Sequence, residues 1–230
     1  MIVVIGSPLY RPGTGDRPSA AVGLAVGIAA AATAAGGSVQ LVGRVGEDPA
    51  GDATLLALAA GRIGHVATRR DPARPTPFEP AQAQVGSDPN DDADGDPFGV
   101  DPIAAPIDDG TSLRAGDSPT LDPGDVGLAL RYLDSYRVIV VAEPLSRTGF
   151  DAAAESAAYA GARLVAIVAD GGSADPLPEG AIVIEAPVSD LDGVFARTIG
   201  MLAVALDAGA DPAAALEGAV ASAGWVRAGH

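Results

Sequence analysis

A chain of 230 residues with 48% hydrophobic content can bury one sizeable core. Its formal charge of −16 sets 30 acids against 14 cations, every one of them arginine, which argues against nucleic-acid binding by phosphate neutralisation. With no cysteine, disulfides and thiolate metal sites are excluded and the redox compartment stays undetermined.

Aromatic residues make up only 4% of the chain, while Ala, Val, Leu and Gly dominate. Small side chains of this kind suit helices packed tightly on a buried parallel sheet better than a β-sandwich. The first strand is IVVI, residues 2–5, ended by Gly6-Ser7-Pro8. It lacks the basic region of a secretory signal. The turn PLYRPGTGDRPS leads to a helix from about Ala20 to Ala35, stopped by Gly36-Gly37. That helix is weakly hydrophobic and broken by glycines, so the expectation is a buried helix, no membrane span, and a cytoplasmic protein.

A strand SVQLVGRVG and a helix within EDPAGDATLLALAAGRIG continue a β-α-β-α order, the pattern of a doubly wound α/β fold. From about 71 to 123 the chain is dense in Asp, Pro and Gly and reads as an acidic surface excursion, with AQAQV as a possible edge strand. Regular structure resumes with DPGDVGLALRYLDSY as a helix, opened by Asp122 and Pro123. RVIVVAEP then reads as a strand, FDAAAESAAYAGA as a helix, and RLVAIVAD and AIVIEAP as strands. Two helices close the chain, Gly193 to Ala208 and Pro212 to about Ala223. No internal repeat interrupts what reads as one domain over 1–230.

Two segments carry a resemblance. VQLVGRVGEDPAGDATLLALAAGRIGHV matches the V-x-L-V-G-x-V-G-x-D-x-x-G block of the ribokinase/PfkB family of sugar and nucleoside kinases, with Leu41, Gly43, Gly46, Asp48, Gly51 and Leu58 on consensus positions. DLDGVFARTIG, Asp190 to Gly200, overlays the family's D-T-x-G-A-G-D-x-F-x-G signature without gaps. The resemblance covers roughly 1–70 and 120–224 and implies a three-layer, mostly parallel ribokinase-like sheet, reduced at its lid and at its nucleotide side.

The overlay places Asp190, Gly193 and Gly200 on family positions, but the family's catalytic base falls on Ala196 and the preceding glycine on Phe195. Phosphoryl transfer to a hydroxyl needs a proton acceptor beside the attacking oxygen and bare N–H groups for the developing charge. Alanine supplies no acceptor. Gly193 is then an anion-hole remnant, and Ser189 or Asp190 reads as the N-cap of a core helix.

The family's G-G-K-G-x-N sugar motif falls on VGLAVG, Val22 to Gly27, where Gly23 reads as a packing glycine, and its first-strand Asp falls near Arg11. There is no room for a lid hairpin before the first helix, and the family's adenine-side strands are missing between VAIVAD and AIVIEAP. The resemblance therefore implies a degenerate, inactive protein acting as a binding or assembly partner, as a homodimer or with another protein, without cofactor or metal. The rival is an active ATP- and Mg-dependent sugar or nucleoside kinase using Asp192 or Asp190 as base.

Other constellations are weaker. GTGDRPSAA lacks the third glycine of a dinucleotide loop, and no Walker lysine can exist here, so it reads as a connection with Asp16 or Ser19 near an N-cap. Asn90, Asp92, Asp94, Gly95 and Asp101 have EF-hand-like offsets but no flanking helices, and read as a solvated loop. His65 and His230 form no pair, and Ser146, Ser156 and Ser173 lack a nucleophile-elbow setting.

Overall fold

The computed structural model describes residues 1–15, 17–79, 121–169, 178, 180–187, 190 and 192–224. Six parallel strands form the central sheet: β1 (Ile2–Ile5), β4 (Val39–Gly46), β5 (Thr68–Asp71), β6 (Val138–Val141), β7 (Arg163–Val168) and β8 (Ile182–Glu185). Their spatial order is β5-β4-β1-β6-β7-β8. The chain starts at the centre, builds one half outward, then crosses back beside β1 to build the other.

Strand alternation decides what each face buries. Ile2 and Val4, with Leu41, Val138, Val140 and Val165, point into a cluster shared with α1 (Leu24–Ala34), α5 (Val194–Asp207), α6 (Pro212–Ala223) and Leu58 of α2 (Pro49–Ala60). Val3 and Ile5, with Val42, Ile139 and Val141, face α3 (Pro123–Tyr132) and α4 (Arg147–Ala160). The result is three layers around a doubly wound sheet, as the β-α alternation implies.

Small residues set the spacing of the α1–α5 seam. A Cβ on Gly200 would lie 2.7 Å from Ala31 Cβ and 2.9 Å from the Ile28 carbonyl, and one on Gly27 would lie 3.0 Å from Ala196 Cβ. Gly27 and Ala31 on one helix thus meet Ala196 and Gly200 on the other, both pairs four residues apart. Backbones approach where side chains stop at a hydrogen or a methyl.

On the opposite face an ionic knot ties α3 to the sheet. Arg44, from β4, bonds Asp71 at 3.2 Å, Asp122 at 3.1 Å and the buried Asp125, which Arg69 also reaches at 2.6 Å. Asp122 doubles as the N-cap of α3, accepting from the Asp125 N–H, with Pro123 at the first helical position.

The structure corrects three expectations. Residues 20–22 are not the start of a helix but β3 (Ala20–Val22), paired antiparallel with β2 (Leu9–Arg11), so a short hairpin does fit before α1. Gly23 is not a packing glycine inside the helix: it caps α1 at φ 102°, in left-handed backbone that favours glycine. Ser19 accordingly stands four residues before that cap, while Asp16 lies outside the described residues. The excursion read as starting at 71 begins with the last residue of β5, a strand hidden by its polar sequence TRRD. AQAQV and the Asn90–Asp101 loop fall outside the described residues.

Candidate active site at the carboxyl ends of the strands

In an open α/β sheet the ligand crevice lies beyond the carboxyl ends of the strands, where the chain reverses its winding. Here that point is between β1 and β6. Gly6 follows β1, and a Cβ there would sit 2.7 Å from Ala25 Cβ, so only glycine lets α1 approach. Across the crevice Glu143 follows β6 and accepts from the Ser7 N–H at 2.8 Å and from its hydroxyl at 3.4 Å. Burial pushes the Glu143 carboxyl above the usual range, and the Ser7 bonds only partly offset it. Sequence reasoning passed over this pair. The available signal was an acid placed right after a fully apolar strand.

The start of α5 lies on the same side of the sheet as α1. Gly193 holds φ 62° as its cap residue, and no side chain of its own caps the helix. That work is done by Asp190, whose two carboxylate oxygens accept from the Phe195 N–H at 2.9 Å and the Ala196 N–H at 2.8 Å. Asp190 therefore caps α5 from outside the formal cap position, and Ser189 lies outside the described residues. Asp192 is exposed, its carbonyl accepting from Arg197 at 2.8 Å.

Phe195 is 2% exposed and Ala196 6% exposed, both within the apolar cluster. The structure thus brings Ala196 against Gly27, the last residue of the VGLAVG segment, inside the α1–α5 seam.

Between β1 and α1 the chain forms the β2–β3 hairpin. The β2–β3 hairpin is extended by residues 77–79: the Tyr10 N–H donates to the Pro77 carbonyl, and the Glu79 N–H donates back to Tyr10. Tyr10 and Phe78 meet edge to face, ring centroids 5.4 Å apart. Arg11 Nε lies 3.8 Å from Glu79.

Beside Tyr10 and Phe78, Asp48 caps α2 and accepts from the Gly51 N–H and from both the N–H and hydroxyl of Thr76. Burial alone would raise its carboxyl, but these bonds together hold it below the usual range. The block that carries Asp48 is therefore structural, fixing the loop that leads to residues 77–79.

Elsewhere the described residues play local roles. Ser146 caps α4 through the Gly149 N–H, Ser156 bonds the Ala152 carbonyl, and His65 Nδ1 lies 3.2 Å from the Ile63 carbonyl. Ser173 and His230 lie outside the described residues. Among the described residues no group of three or more His, Asp or Glu is arranged to hold a metal ion. No described helix is long and apolar enough to cross a membrane.

No family model and no curated protein sequence matches the chain. Solved structures do. An Escherichia coli protein assigned as a ribokinase II, in its apo form, superposes with a TM-score of 0.60 at 13% identity, covering 96% of this chain and 91% of that one. E. coli phosphofructokinase-2 in complex with fructose-6-phosphate gives 0.57 at 11% identity, covering 97% and 92%. Arabidopsis thaliana ribokinase complexed with ribose and ATP gives 0.54 at 15% identity, covering 96% and 90%. Likeness across nearly the whole of both chains, at so low an identity, is likeness of backbone, and the chain is built on the ribokinase-like α/β fold of the PfkB sugar kinases.

Proposed function

We propose that this protein is a ribokinase-fold protein without phosphotransferase activity, acting as a binding or assembly partner. One observation carries the reading: the position aligned with the family's base holds the buried methyl of Ala196, packed against α1. A proton acceptor is missing there, and helix packing fills the space it would need. The two N–H groups at the start of α5 donate to Asp190, so they are already neutralised by a carboxylate of the chain itself. These residues do not fit a phosphate group, and the chain has no lysine to assist one.

The Ser7–Glu143 pair supports a residual capacity to hold a hydroxyl-bearing ligand at the switch point without turning it over. Calorimetry with ribose, fructose 6-phosphate and Mg-ATP, run beside an ADP-release assay, tests this. Turnover above background, abolished by Asp192→Ala or by Asp190→Ala, would instead establish the rival kinase reading. Sugar binding lost in Glu143→Ala, with no ADP formed, supports the present one.

A further inference from the structure

The sheet face opposite the α1–α5 seam carries an open groove between α3 and α4. It has a volume of about 850 Å³, and its walls include Gly127, Arg131, Asp134, Tyr136, Glu155 and Tyr159. The lining positions recur at helical spacing on both walls, 123, 124, 127, 130 and 131 on α3 and 152, 155, 156, 159 and 160 on α4. A groove presented by two helical stripes suits a third helix with anchors at i, i+3, i+4 and i+7.

Aromatic placement marks the same surface. The chain has four tyrosines, and two of them, Tyr136 and Tyr159, line the groove, while Tyr132 stands in sequence between the lining residues Arg131 and Leu133. Tyr136 is buried and donates its hydroxyl to the Ser156 carbonyl at 3.2 Å, forming a fixed floor. Tyr159 is 96% exposed and Tyr132 78% exposed, and Leu128 on α3 is also exposed. In a chain so poor in aromatics, a buried and a nearly fully exposed tyrosine lining the same concavity have the composition of interface anchors.

Charge narrows the occupant. The rim carries Asp134 and Glu155 against the single cation Arg131, whose Nε is turned back onto the Gly127 carbonyl at 3.3 Å. The whole chain adds a charge of −16, which disfavours a second copy or an acidic partner and steers a cationic one. We infer that the α3–α4 groove is a docking site for an amphipathic helix of another protein, apolar on the face it inserts and basic along its flanks. The inference gives a surface to the partner-binding role proposed above and rests on that reading.

The test uses the full chain and two labelled helical peptides with the same leucine face, one flanked by lysine and arginine, the other by glutamate. Anisotropy titrations should show saturable binding of the basic peptide only. Tyr159→Ser removes an anchor without changing charge. Gly127→Leu fills the groove from a position where an added Cβ meets nothing within 4 Å, so the fold is kept. Each should weaken the basic peptide at least roughly tenfold, whereas the charge-neutral Leu56→Ser, on exposed α2 surface, should not. Equal binding to wild type and both groove variants would mean diffuse attraction to an acidic surface and would overturn the site, as would equal binding of the glutamate peptide. Sedimentation showing a dimer dissolved by Gly127→Leu would assign the groove to a second copy and overturn the chosen occupant. None of these results touches the ADP-release assay, which decides the catalytic question separately.

Discussion

The α1–α5 seam and the α3–α4 layer cover opposite faces of one sheet and are held by different forces. In the seam, Gly27, Ala31, Ala196 and Gly200 bring two backbones so close that a single added methyl at Gly200 would collide with three atoms. The α3–α4 layer touches the sheet through Val126, Ala129, Leu130, Ala153 and Ala157, leans on the Arg44 knot, and leaves a groove on its outer side. The lesson is that Ala196 sits on the face with no slack. Its size answers to helix packing, whereas the far face leaves an open groove.

The sharpest way to break this contrast is Gly200→Leu. It drives a branched side chain into Ala31 and the α1 backbone and should cost about 3 kcal/mol or more, read as a collapse of the thermal or urea midpoint. If the protein keeps its wild-type midpoint, the seam is looser than described. Arg44→Ala tests the other face by leaving buried Asp125 with only Arg69, and a loss of about 3 kcal/mol is expected from urea melts. Ala196→Asp restores the family's acid inside the seam. It should lower stability by about 2 kcal/mol and produce no ADP from Mg-ATP and sugar.

A pH-dependent measurement sharpens the picture at the crevice between the two faces. Because the folded state holds Glu143 above its ordinary value of 4.5, folding takes up protons there. Its contribution is fullest below that value and is lost as pH rises through the folded pKa. Glu143→Gln should therefore match wild type near pH 4 and exceed it at neutral pH, as followed by thermal melts across that range. The smallest effect is expected from Gly127→Leu, which replaces a helix-interior glycine in open space and should stabilise by no more than about 1 kcal/mol.

The sequence made the buried parallel strands easy to read, because IVVI, VIVV and the LVG block are continuous apolar runs. β5 was not legible. Its residues are polar because it is an edge strand whose Arg70 and Asp71 spend their charge on Asp52 and Arg44. β3 merged into the alanine run that follows it, and only Gly23, forced to positive φ, marks the boundary. At the site, the departure from the family's base could be read from one letter, Ala196. Asp190 as the cap of α5 was legible too, an acid placed just before a helical run, whereas the meeting of Ser7 with Glu143 across 136 positions depended on the crossover connection and on no local pattern.

Arg44 has a consequence for the lineage of the chain as well as for its stability. It grips Asp71 and Asp122 at once, so two positions far apart in sequence are held side by side by one guanidinium. Closing a chain between two such neighbouring posts costs only about 0.6 kcal/mol more for each doubling of its length. The architecture thus offers a natural graft point, where new sequence can be tried without renegotiating the layers beneath.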